Sequence, residues 1–294
     1  MLGEIIIKSL GFFEAVLSAV MFGAMPLFTK ILYSYGSDAV SSGFYRMLLS
    51  LPFIFICSKF IFKYNMSINK SEFKPLFIVS SGFSFTVITL FNSYNYINSG
   101  AATSIHFTYP IIIFIATSII SKEKPSTTEI LCIIGASIGL ILITDFNALS
   151  NFKGVFYAFL SAFTYSFYSI YFEKSDVIKK MPPFKALFYI NAIGAVILFF
   201  YAHIAFIGIY RNFSINIWLI VFAYSFILTV GATFLYQRAV SEIGAKYTSI
   251  LSTLEVVTSI IIGFFILNEK LTATQTVAVS LIFLSSLVLV KSRK

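Results

Sequence analysis

The chain has 294 residues, of which 58% are hydrophobic and 11% charged, and its mean hydropathy is +0.91. So little charge excludes a soluble domain of this size, and continuously apolar runs exclude a membrane β-barrel, whose strands alternate. The formal charge of +9 implies no nucleic-acid partner, because the basic residues fall between apolar runs, where cytoplasmic loops concentrate them.

A bilayer core of about 30 Å takes about 20 apolar residues as helix, and in lipid every backbone group must bond within its own segment. Ten apolar runs follow one another, so the fold class is an all-α membrane protein with ten transmembrane helices, at 12–33, 41–62, 75–95, 99–121, 129–145, 154–172, 184–205, 215–237, 245–267 and 274–290. The first run is too long for a signal-peptide core and reads as a signal anchor. It carries Phe22-Gly23, Glu14 near one end and Lys30 near the other; Glu14 is expected at the interface, and Lys30 is expected to snorkel. The second run holds Tyr45-Arg46. Arg46 could anchor a substrate carboxylate, pair with Asp38 or Glu255, or snorkel to the surface.

Asn92 comes late in the third run. The fourth sets Thr103, His106 and Tyr109 on one helical face at three-residue spacing, next to Pro110. The histidine is a proton carrier or a donor to a carbonyl freed by the proline. The fifth run carries Gly135 and Gly139, a spacing that permits close helix approach within the chain or in a homodimer. The sixth places Tyr165 and Tyr168 on one face, His203 ends the seventh near the interface, and Tyr236 comes late in the eighth. The ninth has Glu255 near its centre with no nearby charge in the run. Facing lipid it would cost about 2.5–3.5 kcal/mol, so it is expected to face the bundle interior as a substrate or proton site, or as a helix-packing carboxyl. Cys57 and Cys132 lie inside apolar runs and read as small buried hydrophobes.

Ten spans put both termini on one side. With the N-terminus in the cytoplasm, sixteen Lys and Arg fall in inner segments and three, Lys153, Arg211 and Lys270, in outer loops. This asymmetry predicts a plasma-membrane protein with both termini cytoplasmic.

The chain also repeats itself at half length. Ala15-Val-Leu-Ser-Ala-Val20 matches Ala158-Phe-Leu-Ser-Ala-Phe163, and Lys122-Glu123-Lys124 matches Asn268-Glu269-Lys270. The expected units are 1–146 and 147–294. Five spans is an odd number, so the second unit enters the membrane inverted. Inverted repeats place a site near mid-depth between them and permit alternating access.

Tyr109-Pro110, Lys122-Glu123-Lys124, Leu254-Glu255-Val256, Asn268-Glu269-Lys270-Leu271, Phe22-Gly23 and Tyr45-Arg46, in this order and spacing, resemble the EamA-type transporters of the drug/metabolite transporter superfamily over nearly the whole length. The resemblance implies metabolite transport, often export of amino acids or related compounds. Members usually have proline where this chain has Val256, so a kink is expected at Pro110 and not in the second half.

No metalloprotease, hydrolase or nucleotide-binding motif and no aspartate-rich cluster is present. The chain is therefore expected to be neither an enzyme nor the holder of a metal or cofactor. The leading expectation is a secondary transporter or facilitator for a small polar or zwitterionic metabolite, with protons as a candidate coupling ion. Its candidate binding residues are Glu255, His106, Tyr109, Thr103, Arg46, Tyr165, Tyr168, Asn92 and Tyr236. A nucleotide-sugar or lipid-precursor carrier is the alternative. It would want several basic groups inside the bundle, and only Arg46 and Lys30 qualify.

Overall fold

A computed structural model describes residues 2–144, 151–266 and 270–292, with side chains from residue 9. The expected unit boundary at 146/147, the pair Asn268-Glu269, the cations Arg293 and Lys294 and the side chain of Lys8 lie outside the described residues. The described residues are helical, without strands. Eight helices are long and apolar enough to cross a membrane: α1 (Ser9–Ser34), α2 (Ala39–Ile61), α3 (Lys70–Ser93), α4 (Ser99–Ser121), α6 (Phe152–Lys174), α7 (Pro183–Ile204), α8 (Ile215–Ser252) and α10 (Ala273–Lys291). Two shorter apolar helices, α5 (Thr127–Ile143) and α9 (Leu254–Ile266), complete the set. The ninth apolar run of the sequence is therefore divided. Gly244, at φ 85, ends the long part of α8, and the run continues from Ala245 through the end of α8 into α9.

Helix starts are fixed by local chemistry. Asn69 with Glu72, Ser126 with Glu129 and Thr272 with Gln275 form capping boxes at α3, α5 and α10, each satisfying orphan N–H groups at both ends of the first turn. Asp38 accepts from the Ser41 N–H at 2.9 Å and from its hydroxyl at 2.5 Å, so its carboxylate is occupied as a cap rather than paired with Arg46. Asn98 caps α4 by accepting from the Ala101 N–H at 2.7 Å.

The heaviest packing is α3 along α6, α1 along α8 and α5 along α10, followed by α7 against α3 and α2. Without a hydrophobic drive between helices in lipid, small residues that admit close contact decide such pairings. A Cβ at Gly139 would lie 2.9 Å from the Ala278 carbonyl oxygen, and Gly135 abuts Ser285. Both glycines of the spaced pair are therefore used against α10 within the chain. Phe60, Ile119, Phe152 and Phe265 are among many large apolar side chains left on the outer surface.

Four rods are interrupted along their length. α1 breaks at Gly23-Ala24 before Pro26, α2 at Leu49-Ser50 before Pro52, and α4 at Phe107-Thr108 before Pro110. The fourth break, at Thr253 between α8 and α9, corrects the expectation of a straight second half. Proline is absent there, but Thr248, Ser249, Ser252 and Thr253 all turn their hydroxyls back onto carbonyls three or four residues earlier, at 2.7–2.9 Å. Such back-bonding bends helices. Around Thr253 the N–H bonds tighten to three-residue spacing, Thr253 to Ile250 and Val256 to Thr253.

The two ends of the bundle differ. At one end a cavity opens among Lys30, Tyr33, Tyr94, Ser99 and Ile143; this is called the mouth. The far end is tied by ions. Lys185 meets Glu72 at 3.0 Å, Arg238 meets Glu14 at 3.0 Å, and Lys246 meets Glu129 at 2.9 Å. Tyr247 donates to Glu129 at 2.5 Å, and Glu173 accepts the Ala245 N–H at 2.9 Å. Glu14, expected at the interface, is only 7% exposed, because α8 brings Arg238 to it. His203 is exposed at the end of α7, as expected.

Candidate functional site

The mouth leads into a cavity of about 650 Å³ that reaches the breaks in α1, α4 and α8–α9. Such a volume suits a small-molecule ligand. Interrupted helices free backbone groups and helix ends at mid-depth, where spanning segments otherwise leave none. Met25 and Pro26 start the second half of α1, Tyr109 starts the second half of α4, and Glu255 lies in the first turn of α9. The positive end of the α9 dipole therefore borders the cavity beside Glu255.

Six of the nine sequence-derived candidates line this one cavity: Glu255, His106, Tyr109, Thr103, Arg46 and Tyr165. They come from α9, α4, α2 and α6, so the convergence is tertiary. Arg46 is 5% exposed, and its carbonyl accepts from Ser225 at 2.7 Å and Thr229 at 3.0 Å, which fastens α2 to α8. Its guanidinium lies 5.4 Å from the Phe83 ring centroid and touches Met25 Sδ at 4.0 Å, while its Nε is buried without a hydrogen-bond partner. Arg46 is the charged neighbour of Glu255, but no ion pair joins them. The cavity thus presents a guanidinium and a carboxyl group that do not pair with each other, with Lys30 at its mouth.

Aromatic rings make up one wall of the cavity. Tyr109 and Tyr165 meet edge to face at 4.6 Å, with His106 5.3 Å from Tyr109 and 5.5 Å from Tyr165. His106 Nδ1 lies 2.9 Å from Ser161 Oγ, and that hydroxyl donates to the Ala158 carbonyl at 2.5 Å. The single Ser161 proton is thereby used, so the His106 Nδ1–H is the donor of this pair. The expected donation to a freed carbonyl is replaced by this serine. Thr103 shares a 3.3 Å hydrogen bond with Tyr94.

The other three candidates lie outside the lining. Tyr168 and Tyr236 are buried behind Tyr165, at 5.6 Å and 5.7 Å from it. Gln237 donates to the Tyr168 hydroxyl at 3.1 Å, and Ser169 shares a 2.6 Å bond with Tyr236. They form the floor between the cavity and the far end. Asn92 donates to Ile88 at 2.9 Å and to the Tyr201 hydroxyl at 2.7 Å, which ties α3 to α7 away from the lining.

Sequence reasoning passed over Tyr94, Tyr224, Phe83 and Ser259, all of which line the cavity. Ser259 had a signal, since it stands four residues after Glu255 on the same helical face. Lys30, expected to snorkel, lines the mouth and is exposed. No group of three or more His, Cys, Asp or Glu arranged to hold a metal occurs among the described residues.

The profile of the EamA-like transporter family matches residues 9–145 and again 152–291. A Bacillus subtilis (strain 168) protein described as the uncharacterized transporter YxxF is 23% identical over 283 residues, covering 94% of this chain and 88% of that one. A solved structure described only as the crystal structure of a protein superposes with a TM-score of 0.76 at 16% identity, covering 96% of both chains; at that identity the likeness concerns the fold.

Proposed function

The chain belongs to the EamA-like transporter family, and from that premise we propose that it is a secondary transporter or facilitator for a small metabolite bearing both a cationic and an anionic group. The preferred class is an amino acid or related compound, moved outward across the plasma membrane. Family and relative point to transport rather than catalysis. The observation that carries the substrate reading is the cavity in which Arg46 and Glu255 face the same space without pairing. A carboxylate would satisfy the open guanidinium, an ammonium would meet Glu255, and the Tyr109–Tyr165 wall would take the apolar remainder.

Alternating access between two inverted five-helix units, meeting near 146/147, is the proposed mechanism. The pairing pattern supports it. Exchange of the halves converts α3 with α6 into α8 with α1, while α5 with α10 and α2 with α7 map onto themselves. Bundles related in this way have two equivalent arrangements, one open at each end. With the basic connections 63–74, 122–124 and 174–185 in the cytoplasm, the mouth faces outward and the ion-tied end faces inward. Glu255 and His106 are the proposed proton-exchanging groups within the cavity.

Uptake into proteoliposomes tests this reading. A panel of amino acids, amines and nucleotide sugars, each with and without a pH gradient, should give saturable transport of a zwitterion. Transport confined to nucleotide sugars, or absent for the whole panel, would overturn it.

A further inference from the structure

Glu14 on α1 and Glu242 on α8 share one guanidinium at the far end. Arg238 Nε donates to Glu14 Oε1 at 3.0 Å, and Arg238 Nη2 pairs with Glu242 Oε1. The second oxygen of each carboxyl, Oε2, is buried and has no hydrogen-bond partner. The two carboxyls converge on this one guanidinium from opposite helices. Glu242 is held there by a close helix approach, because a Cβ at Gly11 would fall 2.9 Å from Glu242 Cβ and 3.1 Å from its Oε2. With both carboxyls ionised, one negative charge would stay buried without a counter-charge and two acceptors would face each other. A single proton on one Oε2, donated to the other, removes both defects.

We propose that Glu14 and Glu242 hold one shared proton while the far end is closed, forming a proton-binding site separate from the cavity that contains Glu255. Its part in transport rests on the alternating-access reading; the binding itself does not. The remaining groups around the pair are committed elsewhere. Lys246 and Tyr247 bond Glu129, Glu173 accepts the Ala245 N–H, and the segment 226–233 packed on α1 has no titratable side chain. Glu255, the titratable residue of α9, lies near Gly23, further along α1. Glu4 and Lys8, near the start of α1, have side chains outside the described residues. A metal ion is a poor occupant, since hard cations take about six or more oxygens and only two are unpartnered here. When α1 parts from α8, water reaches both carboxyls, and the proton passes to water on that side as the second carboxylate ionises beside Arg238.

Infrared difference spectroscopy on the purified chain in lipid nanodiscs at about pH 7, where free carboxyls are ionised, tests the site. Subtracting the spectrum of Glu242→Gln from that of the parent should reveal a protonated-carboxyl C=O band, and Glu14→Gln should remove the same band. Glu255→Gln should leave it in place. If either glutamine variant fails to fold, the matching aspartate variant should shift the band instead. Identical carbonyl regions in parent and variants would overturn the proposal. A band lost on mutation of the pair, in a protein that transports none of the tested compounds, would sink the transport reading and leave the proton site standing.

Discussion

Gly23 and Glu255 touch through their main chains: a methyl group at position 23 would stand 2.8 Å from the Glu255 carbonyl oxygen. The break in α1 is thereby pressed against the start of α9, at a residue with no side chain of its own. The same methyl would also lie 2.8 Å from Thr258 Cγ2.

Gly23→Ala should therefore destabilise the protein by about 1–3 kcal/mol, the usual cost of overpacking a filled contact. Thermal unfolding in detergent measures it. A melting temperature equal to that of the parent would mean the two helices are free to separate.

Glu255→Gln and Arg46→Met should each lower transport by roughly tenfold to a hundredfold, corresponding to a charge-assisted hydrogen bond of about 1.5–3 kcal/mol. Glutamine keeps the shape of the side chain, so the yield of folded Glu255→Gln should match the parent. A parallel fall in yield and transport would give Glu255 a packing role alone.

Gly244→Ala should cost about 1–2 kcal/mol. Gly244 has φ 85, and an L side chain is strained there. Glu173 leaves space, since the nearest of its atoms would be 3.7 Å from the new Cβ, so the loss would be conformational. Gly244→Asn should lose as much, because ψ 160 puts this residue outside the left-handed helical region that asparagine tolerates and in one essentially reserved for glycine. A melting temperature equal to the parent's for either variant would count against strain as the cause.

Glu129→Ala should cost about 3–5 kcal/mol, the loss seen when one member of a buried ion pair is removed. It deletes the acceptor for Lys246 and Tyr247 and the capping partner of Ser126 together. The Lys246→Met, Glu129→Met pair should recover part of the loss, and a double variant as unstable as Glu129→Ala would argue against the ion pair.

Orientation can be read by chemistry. In a background with Cys57 and Cys132 replaced, Asn212→Cys, exposed in the connection between α7 and α8, should react with an impermeant maleimide applied to intact cells. Ser67→Cys, exposed between α2 and α3, should react only after lysis. The reverse pattern would turn the whole arrangement over.

Much of this was legible in the sequence because it follows from single residues in apolar surroundings. A lone Glu255 was expected to point inward, and Arg46 and the Thr103–His106–Tyr109 face were candidates for the same interior; all of them reach one cavity. Depth was harder to read. Tyr165 and Tyr168 share a face, but three residues along a helix is about 4.5 Å of rise, enough to put one in the cavity and the other in the floor. The break at Thr253 escaped because proline was the signal sought, while a cluster of hydroxyls bends the chain by another route. Glu14 was misjudged because its partner is 224 positions away, and helix periodicity carries no information at that range.

The glutamates that fasten the far end have a second duty. Glu72 and Glu129 also close the first turns of α3 and α5, so unfastening either would disturb the start of a helix along with an ion pair. Under the proposed alternating access, an empty carrier built this way would rest with its door toward one compartment. Cargo arriving from the other side would wait for those clasps to lapse, and the rate of that lapse, rather than the cargo's grip on the cavity, would then set the pace of the return stroke.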